Sequence, residues 1–227
     1  MSDQQAPTAP DAATVVIGIL GGTGDEGRGL ACRFARAGNP VIIGSRSPER
    51  AAAAAQALGP DLGIRGMANA DAAAAADVVI VAVPWDGHGD LLTSLAGALA
   101  GKVVIDCVNP LGFDQHGAYP LAVAEGSAAQ QAAAVLPDSM VVGAFHHVSS
   151  VLLLDPAVDR VDLDVLVLGD DRQATDLVQA LAARIPGVRG VYAGRLRNCG
   201  QVEALTANLV SVNRRYKAHA GLRVTDL

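Results

Sequence analysis

The sequence predicts an α/β fold with a doubly wound, mostly parallel sheet, and three observations support this class. Apolar runs such as DVVIVAVP at residues 77–84 and KVVIDCV at residues 102–108 are continuous, as in strands buried on both faces of a parallel sheet. Segments of helical length separate these runs, so strand and helix alternate along the chain. The composition is 51% apolar but only 3% aromatic, which predicts a core of small aliphatic side chains.

Each element follows from a local pattern. Strands are predicted at residues 15–20, 41–45, 64–67, 77–84, 102–108, 140–147, 163–169 and 188–194. Helices are predicted at residues 25–37, 47–58, 70–76, 121–135, 172–185 and 198–217. Ser47, Pro48 and Glu49 provide a capping serine, a proline at the first helical position and an acid in the first turn. Gly38 and Pro40 end the helix before them.

We divide the chain into three parts. Residues 1–13 read as a polar, disordered tail, residues 14–150 as a nucleotide-binding domain, and residues 151–227 as a smaller C-terminal portion that runs from α/β into helix. The tail lacks the basic start and apolar segment of a signal peptide. No apolar run reaches the 18 or more residues of a membrane span. We therefore expect a soluble, cytoplasmic protein.

Charge and cysteine usage exclude several classes of function. The net charge of −6 argues against general nucleic-acid binding. The three cysteines have no CxxC spacing, so neither a disulfide framework nor a zinc site is expected. The C-terminal segment is nevertheless basic, and we expect either a solvated helix end or a landing site for an anionic ligand. Its cationic residues are Arg195, Arg197, Arg214, Arg215, Lys217 and Arg223.

The stretch GGTGDEG follows the first strand and opens the first helix. Gly22, Gly24 and Gly27 form G-x-G-x-x-G inside a βαβ unit, the context that makes this motif a dinucleotide site rather than a structural turn. In a Rossmann-like fold the three glycines permit the turn, the approach of the pyrophosphate and the packing of helix on strand. Asp25 and Glu26 fit poorly, because carboxylates repel phosphate; we expect them to point away, with Arg28 offsetting them.

The end of the second strand indicates the nucleotide. An NAD site usually has an acid there, whereas this strand ends in Ser45 and Arg46, and Arg50 lies one helical turn further on. A guanidinium can grip a 2′-phosphate with two hydrogen bonds. The sequence therefore predicts NADP(H), although an ordinary pair of surface arginines has the same pattern.

Other strand ends carry candidate pocket residues. Pro84 and Trp85 follow the fourth strand, and Trp85 is either a ligand contact or a core residue. His146 and His147 lie at the end of the sixth strand, and no carboxylate or cysteine lies at metal-ligand spacing, so we expect no metal site. We expect either that one of these histidines lines a substrate pocket or that it has only a structural role.

The absence of a placed proton donor restricts the types of reaction that the protein is expected to catalyse. None of the three tyrosines begins the Tyr-x-x-x-Lys of short-chain dehydrogenases, and the only lysines are Lys102 and Lys217. Hydride transfer between two cofactors needs little help from protein acids and bases and is therefore favoured. A non-catalytic NADP sensor and an NADPH-dependent flavin or imine reductase remain alternatives.

The segments GILGGTGDEGRGLACRFARAGNPVIIGSRSPERA, DVVIVAVPW and VVGAFHHVSS resemble the coenzyme F420-dependent NADP oxidoreductase family, from about residue 15 to the C-terminus. Coenzyme F420 is an 8-hydroxy-5-deazaflavin. The resemblance implies reversible hydride transfer between C5 of reduced F420 and C4 of the NADP nicotinamide, in a homodimer. It also implies a phosphate loop, a 2′-phosphate site, a contact of Trp85 with NADP and a shared ring pocket. The implied residues are Thr23, Gly24, Asp25 and Glu26 for the loop, Ser45, Arg46 and Arg50 for the 2′-phosphate, and His146, Val148 and Ser150 for the ring pocket.

Three departures from the family pattern affect mainly the deazaflavin site. Asp25 and Glu26 stand where neutral residues are expected, residues 147–149 stand where some relatives have Thr-x-Pro, and residues 109–120 do not align clearly. The resemblance also implies that the C-terminal portion shapes the pocket. The resemblance then implies that the polyanionic tail of coenzyme F420 is a ligand for the basic segment.

Overall fold

Ten strands lie within residues 11–227, the part of the chain that the computed structural model describes. They are β1 (Ile17–Leu20), β2 (Val41–Ser45), β3 (Arg65–Ala68), β4 (Val78–Val81), β5 (Val103–Asp106), β6 (Leu111–Asp114), β7 (Gly117–Pro120), β8 (Met140–Gly143), β9 (Leu163–Gly169) and β10 (Val188–Gly194). The helices in this part are α1 (Asp25–Arg36), α2 (Pro48–Leu58), α3 (Asn69–Ala75), α4 (His88–Leu99), α5 (Ala128–Val135), α6 (Ser150–Leu154), α7 (Arg172–Ala182) and α8 (Cys199–Tyr216).

The main sheet contains eight strands in the order β10-β9-β8-β5-β4-β1-β2-β3. The chain builds outward from β1 through β2 to β3, then returns to the other side of β1 with β4, β5 and β8. All neighbours are parallel except β8 and β9. This confirms the doubly wound, mostly parallel sheet. Strand order reverses at β1 and β4, so a crevice for ligands opens at their carboxyl ends.

The position of strand β4 in the sheet explains why its sequence is continuously apolar. Val78 and Ile80 face the core under α1, and Val79 and Val81 face the opposite core under α4; all four are fully buried. Helices therefore cover both faces of the sheet. At roughly 1.5–3 kcal/mol for each buried aliphatic side chain, such strands supply much of the hydrophobic stabilisation.

The strand predicted at residues 140–147 is too long, because β8 ends at Gly143 and Phe145 has a left-handed backbone with φ of 63°. The helix predicted at residues 121–135 begins only at Ala128, where the Ser127 hydroxyl accepts a hydrogen bond from the N–H of Gln130 at 2.9 Å. Helices α4 and α6 and the β6–β7 hairpin were not predicted. Within α4, Gly89 and Gly97 weaken the helical signal.

The C-terminal strands β9 and β10 join the same sheet, and a buried carboxylate fastens the last residues to it. Asp164 on β9 accepts two hydrogen bonds from Arg189, each at 2.7 Å, one from Arg223 at 2.6 Å and one from the N–H of Val224 at 2.7 Å. Arg223 also pairs with the exposed Asp162. The hydrogen bonds and charge of Arg189, together with the N–H of Val224, hold the pKa of Asp164 below its usual value.

At the other end of the described chain, Thr14 donates its N–H to the carbonyl of Asp11 at 3.0 Å, forming a turn. Residues 1–10 of the predicted disordered tail lie outside the described residues. None of the helices found between residues 11 and 227 has the length and hydropathy that crossing a membrane would require.

Candidate active site

Two cavities meet above the carboxyl ends of the central strands. The first, of about 700 Å³, extends from the end of β2 across the glycine loop to residues that follow β4. The second, of about 470 Å³, extends from there to the residues that follow β5 and β8 and to α8. Glu26, Ala82, Val83 and Pro84 line both cavities. A molecule in one cavity can therefore contact a molecule in the other.

Four glycines of the loop have different structural roles in the turn, in helix packing and in the cavity wall. The left-handed backbone of the turn lies at Gly21, with φ of 69°, rather than at Gly22, where the sequence placed it. A Cβ on Gly27 would lie 2.6 Å from Cα of Gly22, so these two glycines let α1 pack on the loop. A Cβ on Gly24 would meet only the carbonyl of Gly21, at 3.7 Å. Gly24 lines the first cavity, and its open side leaves room for a ligand.

The two acids that open α1 have different surroundings. Asp25 is exposed and pairs with Arg28, Oδ1 to Nη2, at 2.7 Å, so its charge is offset as expected. Glu26 is partly buried, and its Oε1 has no hydrogen-bond partner among the described residues. Burial raises the pKa of Glu26 to about 8. Glu26 thus does not point away from the cavities, which corrects the expectation from sequence.

The end of β2 provides the cationic end of the first cavity. Ser45, Arg46, Ser47 and Arg50 all line it, and both arginines are exposed. The Ser47 hydroxyl accepts a hydrogen bond from the N–H of Arg50 at 3.2 Å, which fixes the start of α2. Two guanidinium groups therefore flank a capped helix end at the point where the sequence predicts the 2′-phosphate.

The second cavity has largely apolar walls. Val83, Val108 and Val148 contribute aliphatic surface, and Phe113 also lines the cavity. Trp85 is partly buried and lines the same cavity, with its ring centroid 5.5 Å from that of His88. The predicted pocket residues His146, Val148 and Ser150 all line this cavity, together with Pro84 and Trp85.

The two histidines after β8 have different environments. His147 donates Nε2–H to the carbonyl of Val202 on α8 at 2.7 Å, and burial lowers its pKa. His146 is 5% exposed, and burial lowers its pKa to about 4. Its carbonyl accepts a hydrogen bond from Asn109 at 3.1 Å. Both rings are therefore neutral at pH 7, and His147 serves at least to fasten the loop to α8.

Several wall residues were not predicted from the sequence. Leu111 and Phe113 come from the hairpin, and Thr206 and Val210 come from α8, more than 90 residues further along the chain. Asn69, at the start of α3, lines the first cavity with a buried Oδ1 that lacks a partner among the described residues. The paired signals L-G-F-D and G-A-Y-P around a turn could have revealed the hairpin; nothing in the sequence singles out Thr206.

Comparison with known proteins identifies the family. A family profile described as "NADP oxidoreductase coenzyme F420-dependent" matches residues 16–110. The "F420-dependent NADP reductase" of Methanothermobacter marburgensis is 41% identical over 221 residues, covering 93% of this chain and 98% of the relative. The protein of the same description from Methanocaldococcus jannaschii is 39% identical, with the same coverage.

A solved structure has the same fold. A crystal structure described as a "putative f420 dependent nadp-reductase" from Arthrobacter sp. FB24 superposes with a TM-score of 0.78 at 27% identity, covering 94% of this chain and 99% of that one. The resemblance inferred from the residues is thereby confirmed. The chain belongs to the family of F420-dependent NADP reductases.

Proposed function

We propose that this protein transfers a hydride reversibly between C5 of reduced coenzyme F420 and C4 of the NADP⁺ nicotinamide. One observation carries the proposal: the cavity that extends from the glycine loop to Arg46 and the cavity lined by Trp85 and His146 share the wall formed by Glu26 and residues 82–84. Two planar rings bound in adjoining cavities can stack there. Membership in the family supplies the chemical class.

The first cavity fits NADP(H). The open side of Gly24 and the N-terminus of α1 suit a pyrophosphate, because the first N–H groups of a helix lack carbonyl partners within it. Arg46 and Arg50 suit the 2′-phosphate that distinguishes NADP from NAD. We assign cofactor binding to Gly22, Thr23, Gly24, Asp25, Glu26, Gly27, Ser45, Arg46, Arg50, Pro84, Trp85 and Ser150. Gly22 and Gly27 act through packing of the loop.

The second cavity fits the deazaflavin ring. Its aliphatic walls and Trp85 exclude water from the ring faces, and His146, Val148 and Ser150 lie where the ring edge would be recognised. Because His146 is neutral, it places no unpaired positive charge in this apolar site. We assign these four residues to the pocket and none of them to proton transfer.

The residues then act by positioning. The walls hold the two rings face to face, with the reacting carbons about 3–3.5 Å apart, as an efficient transfer requires. The cofactors supply the redox chemistry, since a deazaflavin and a nicotinamide are both hydride carriers. The protein contributes orientation and exclusion of water.

We extend the proposal to the organisation of the protein. Residues 14–150 form the NADP-binding domain, and residues 151–227 complete the deazaflavin pocket. We also propose a homodimer that works in the cytoplasm. Exposed apolar side chains gather on the hairpin and the end of α8, which supports a subunit contact there: Phe113, Tyr119, Val212 and Tyr216. Sedimentation of the purified protein tests the dimer.

The direct test is turnover. Purified protein mixed with NADPH and coenzyme F420 should bleach the visible absorbance of the deazaflavin, and excess NADP⁺ should restore it. A deazaflavin has carbon in place of the flavin N5, so the reaction should proceed in air. FMN, which lacks the 8-hydroxy group and the acidic tail, should react far more slowly. Binding of NADPH without turnover would favour the sensor, and faster turnover with FMN or a cyclic imine would favour those reductases.

A further inference from the structure

Glu26 occupies the junction of the two cavities. It lies in the first turn of α1, and it lines both cavities beside Ala82, Val83 and Pro84. Its Oε1 is buried and finds no hydrogen-bond partner among the described residues. A carboxyl group in this position is costly unless it stays protonated or meets a positive charge.

The groups that face Glu26 do not provide that charge. On its own helix, Arg28 is bound to Asp25. Across the cavity, the Cys107 thiol donates to the carbonyl of Val81 at 3.0 Å, and burial raises its pKa, so it is neutral. His146 and His147 are neutral because burial lowers both pKa values.

Other charged groups line the first cavity but not the second. Arg46 and Arg50 lie at the β2 end, and Asp86 is an exposed acid that follows β4. None of these three side chains forms a hydrogen bond or ion pair with Glu26. A pKa of about 8 follows from burial, so Glu26 is mostly protonated at neutral pH before any ligand binds.

The path of the nucleotide brings its nicotinamide to this junction. With the 2′-phosphate at Arg46 and Arg50 and the pyrophosphate over Gly24, the remaining half of the molecule continues across β1 toward β4. Residues 82–84, which follow β4, belong to both cavities. Glu26 therefore lies beside the ring that changes charge during the reaction.

We propose that Glu26 determines specificity between the two redox states of the nucleotide, favouring NADP⁺ over NADPH by giving up its proton. This inference rests on the proposed function. The nicotinamide ring is positive in NADP⁺ and neutral in NADPH, so only the oxidised form gains from a neighbouring carboxylate. Binding is then written as protein–COOH plus NADP⁺ giving protein–COO⁻·NADP⁺ plus H⁺, with the proton released to the buffer.

The proposal fixes the direction of the pH dependence. Ionised Glu26 binds NADP⁺ better, so the affinity for NADP⁺ relative to NADPH should increase by about tenfold between about pH 6 and about pH 9. The 2′-phosphate is common to both nucleotides, and its titration cancels in the ratio. Calorimetry in two buffers of different ionisation enthalpy should detect proton release with NADP⁺ and much less with NADPH.

The test compares the wild type with Glu26→Gln and with Asp71→Asn, an exposed acid in the first turn of α3 outside both cavities. Quenching of the fluorescence of Trp85, the only tryptophan, reports binding of each nucleotide. The pH dependence of the affinity for NADP⁺ relative to NADPH should disappear in Glu26→Gln and persist in Asp71→Asn. A ratio that is independent of pH in the wild type, or unchanged in Glu26→Gln, would overturn the proposal.

Two further outcomes are separable. If the wild type binds neither nucleotide at any pH, the proposed function fails, and this inference fails with it. If it binds both and reduces coenzyme F420 but releases no proton with NADP⁺, only the role of Glu26 is wrong. Should Glu26→Gln fail to fold, proton release by the wild type decides the question alone.

Discussion

Nε2 of the His88 imidazole lies 2.7 Å from Oδ2 of Asp106, and neither side chain has any exposed surface. The other ring nitrogen lies 3.0 Å from Oε1 of Gln131, and the N–H of Val108 donates to Oδ1 of Asp106 at 3.0 Å. Burial alone would lower the pKa of His88, but the hydrogen bond and charge of Asp106 outweigh it, and the pKa is raised. This buried pair supports Trp85 from behind the second cavity.

The pair should make stability depend on pH. A histidine with a raised pKa contributes stability that is complete below its unfolded value of about 6.5 and is lost as pH rises through the folded value. The advantage of the wild type over His88→Gln should therefore shrink above about pH 6.5, by up to about 1.4 kcal/mol per pH unit. Urea unfolding at several pH values measures it. A stability difference between the wild type and His88→Gln that grows with pH would contradict an ion pair between His88 and Asp106.

Gly24 and Gly27 should respond differently to added side chains. Gly24→Val should fold, because a Cβ there meets only one carbonyl at 3.7 Å and φ is −76°, but it should lose NADPH binding. Gly27→Ala should lose about 1–3 kcal/mol of stability, because its Cβ would overlap Gly22. Thermal melting with and without NADPH separates the two effects. Normal binding of NADPH by Gly24→Val would show that the loop has only a structural role.

Arg46→Ala should weaken NADPH binding and leave NADH binding almost unchanged. Loss of a charge-assisted contact of about 1.5–3 kcal/mol corresponds to about 10- to 150-fold in affinity. Arg172→Ala, which removes an exposed arginine outside the cavities, is the matched control. Equal shifts for NADPH and NADH would show that the 2′-phosphate binds elsewhere.

Asp164→Ala should destabilise the protein by about 2–4 kcal/mol, because it leaves Arg189 and Arg223 without their buried carboxylate. Asp162→Ala removes the exposed partner of Arg223 and should cost less than about 1 kcal/mol. The pKa of Asp164 is lowered, so its contribution should be present above about pH 4 and lost as pH falls through the folded value. Equal losses in the two variants at pH 7 would refute this difference.

The local parts of the site could be predicted from sequence because each has its own short signal. The glycine loop, Arg46 and the Ser47 cap depend on neighbours within a few residues, and all lie at the first cavity. The mostly parallel character of the sheet follows from the alternation of apolar runs and helices. By contrast, the left-handed residue of the turn is Gly21, which lies outside the G-x-G-x-x-G motif, while Gly22 and Gly27 allow the close packing of α1 on the loop.

The second cavity could be predicted only in part because its walls come from distant segments. Trp85 and His146 follow strands and were found by that rule, whereas Phe113 and Thr206 reach the cavity through tertiary packing. The orientation of Glu26 also depends on tertiary structure. Electrostatic repulsion alone predicts that it points away, but its place in the first turn of α1 directs it into the junction between cavities.

Isotope transfer tests the central claim, direct passage of a hydride between the stacked rings. NADPH carrying deuterium on one face of nicotinamide C4 should be oxidised by coenzyme F420 in ordinary water, and mass spectrometry should follow the label. Because fixed walls present one face of the nicotinamide, deuterium from that face alone should reach C5 of the reduced deazaflavin, and label on the opposite face should stay on the nicotinamide. Transfer from both faces, or loss of the label to water, would contradict the account.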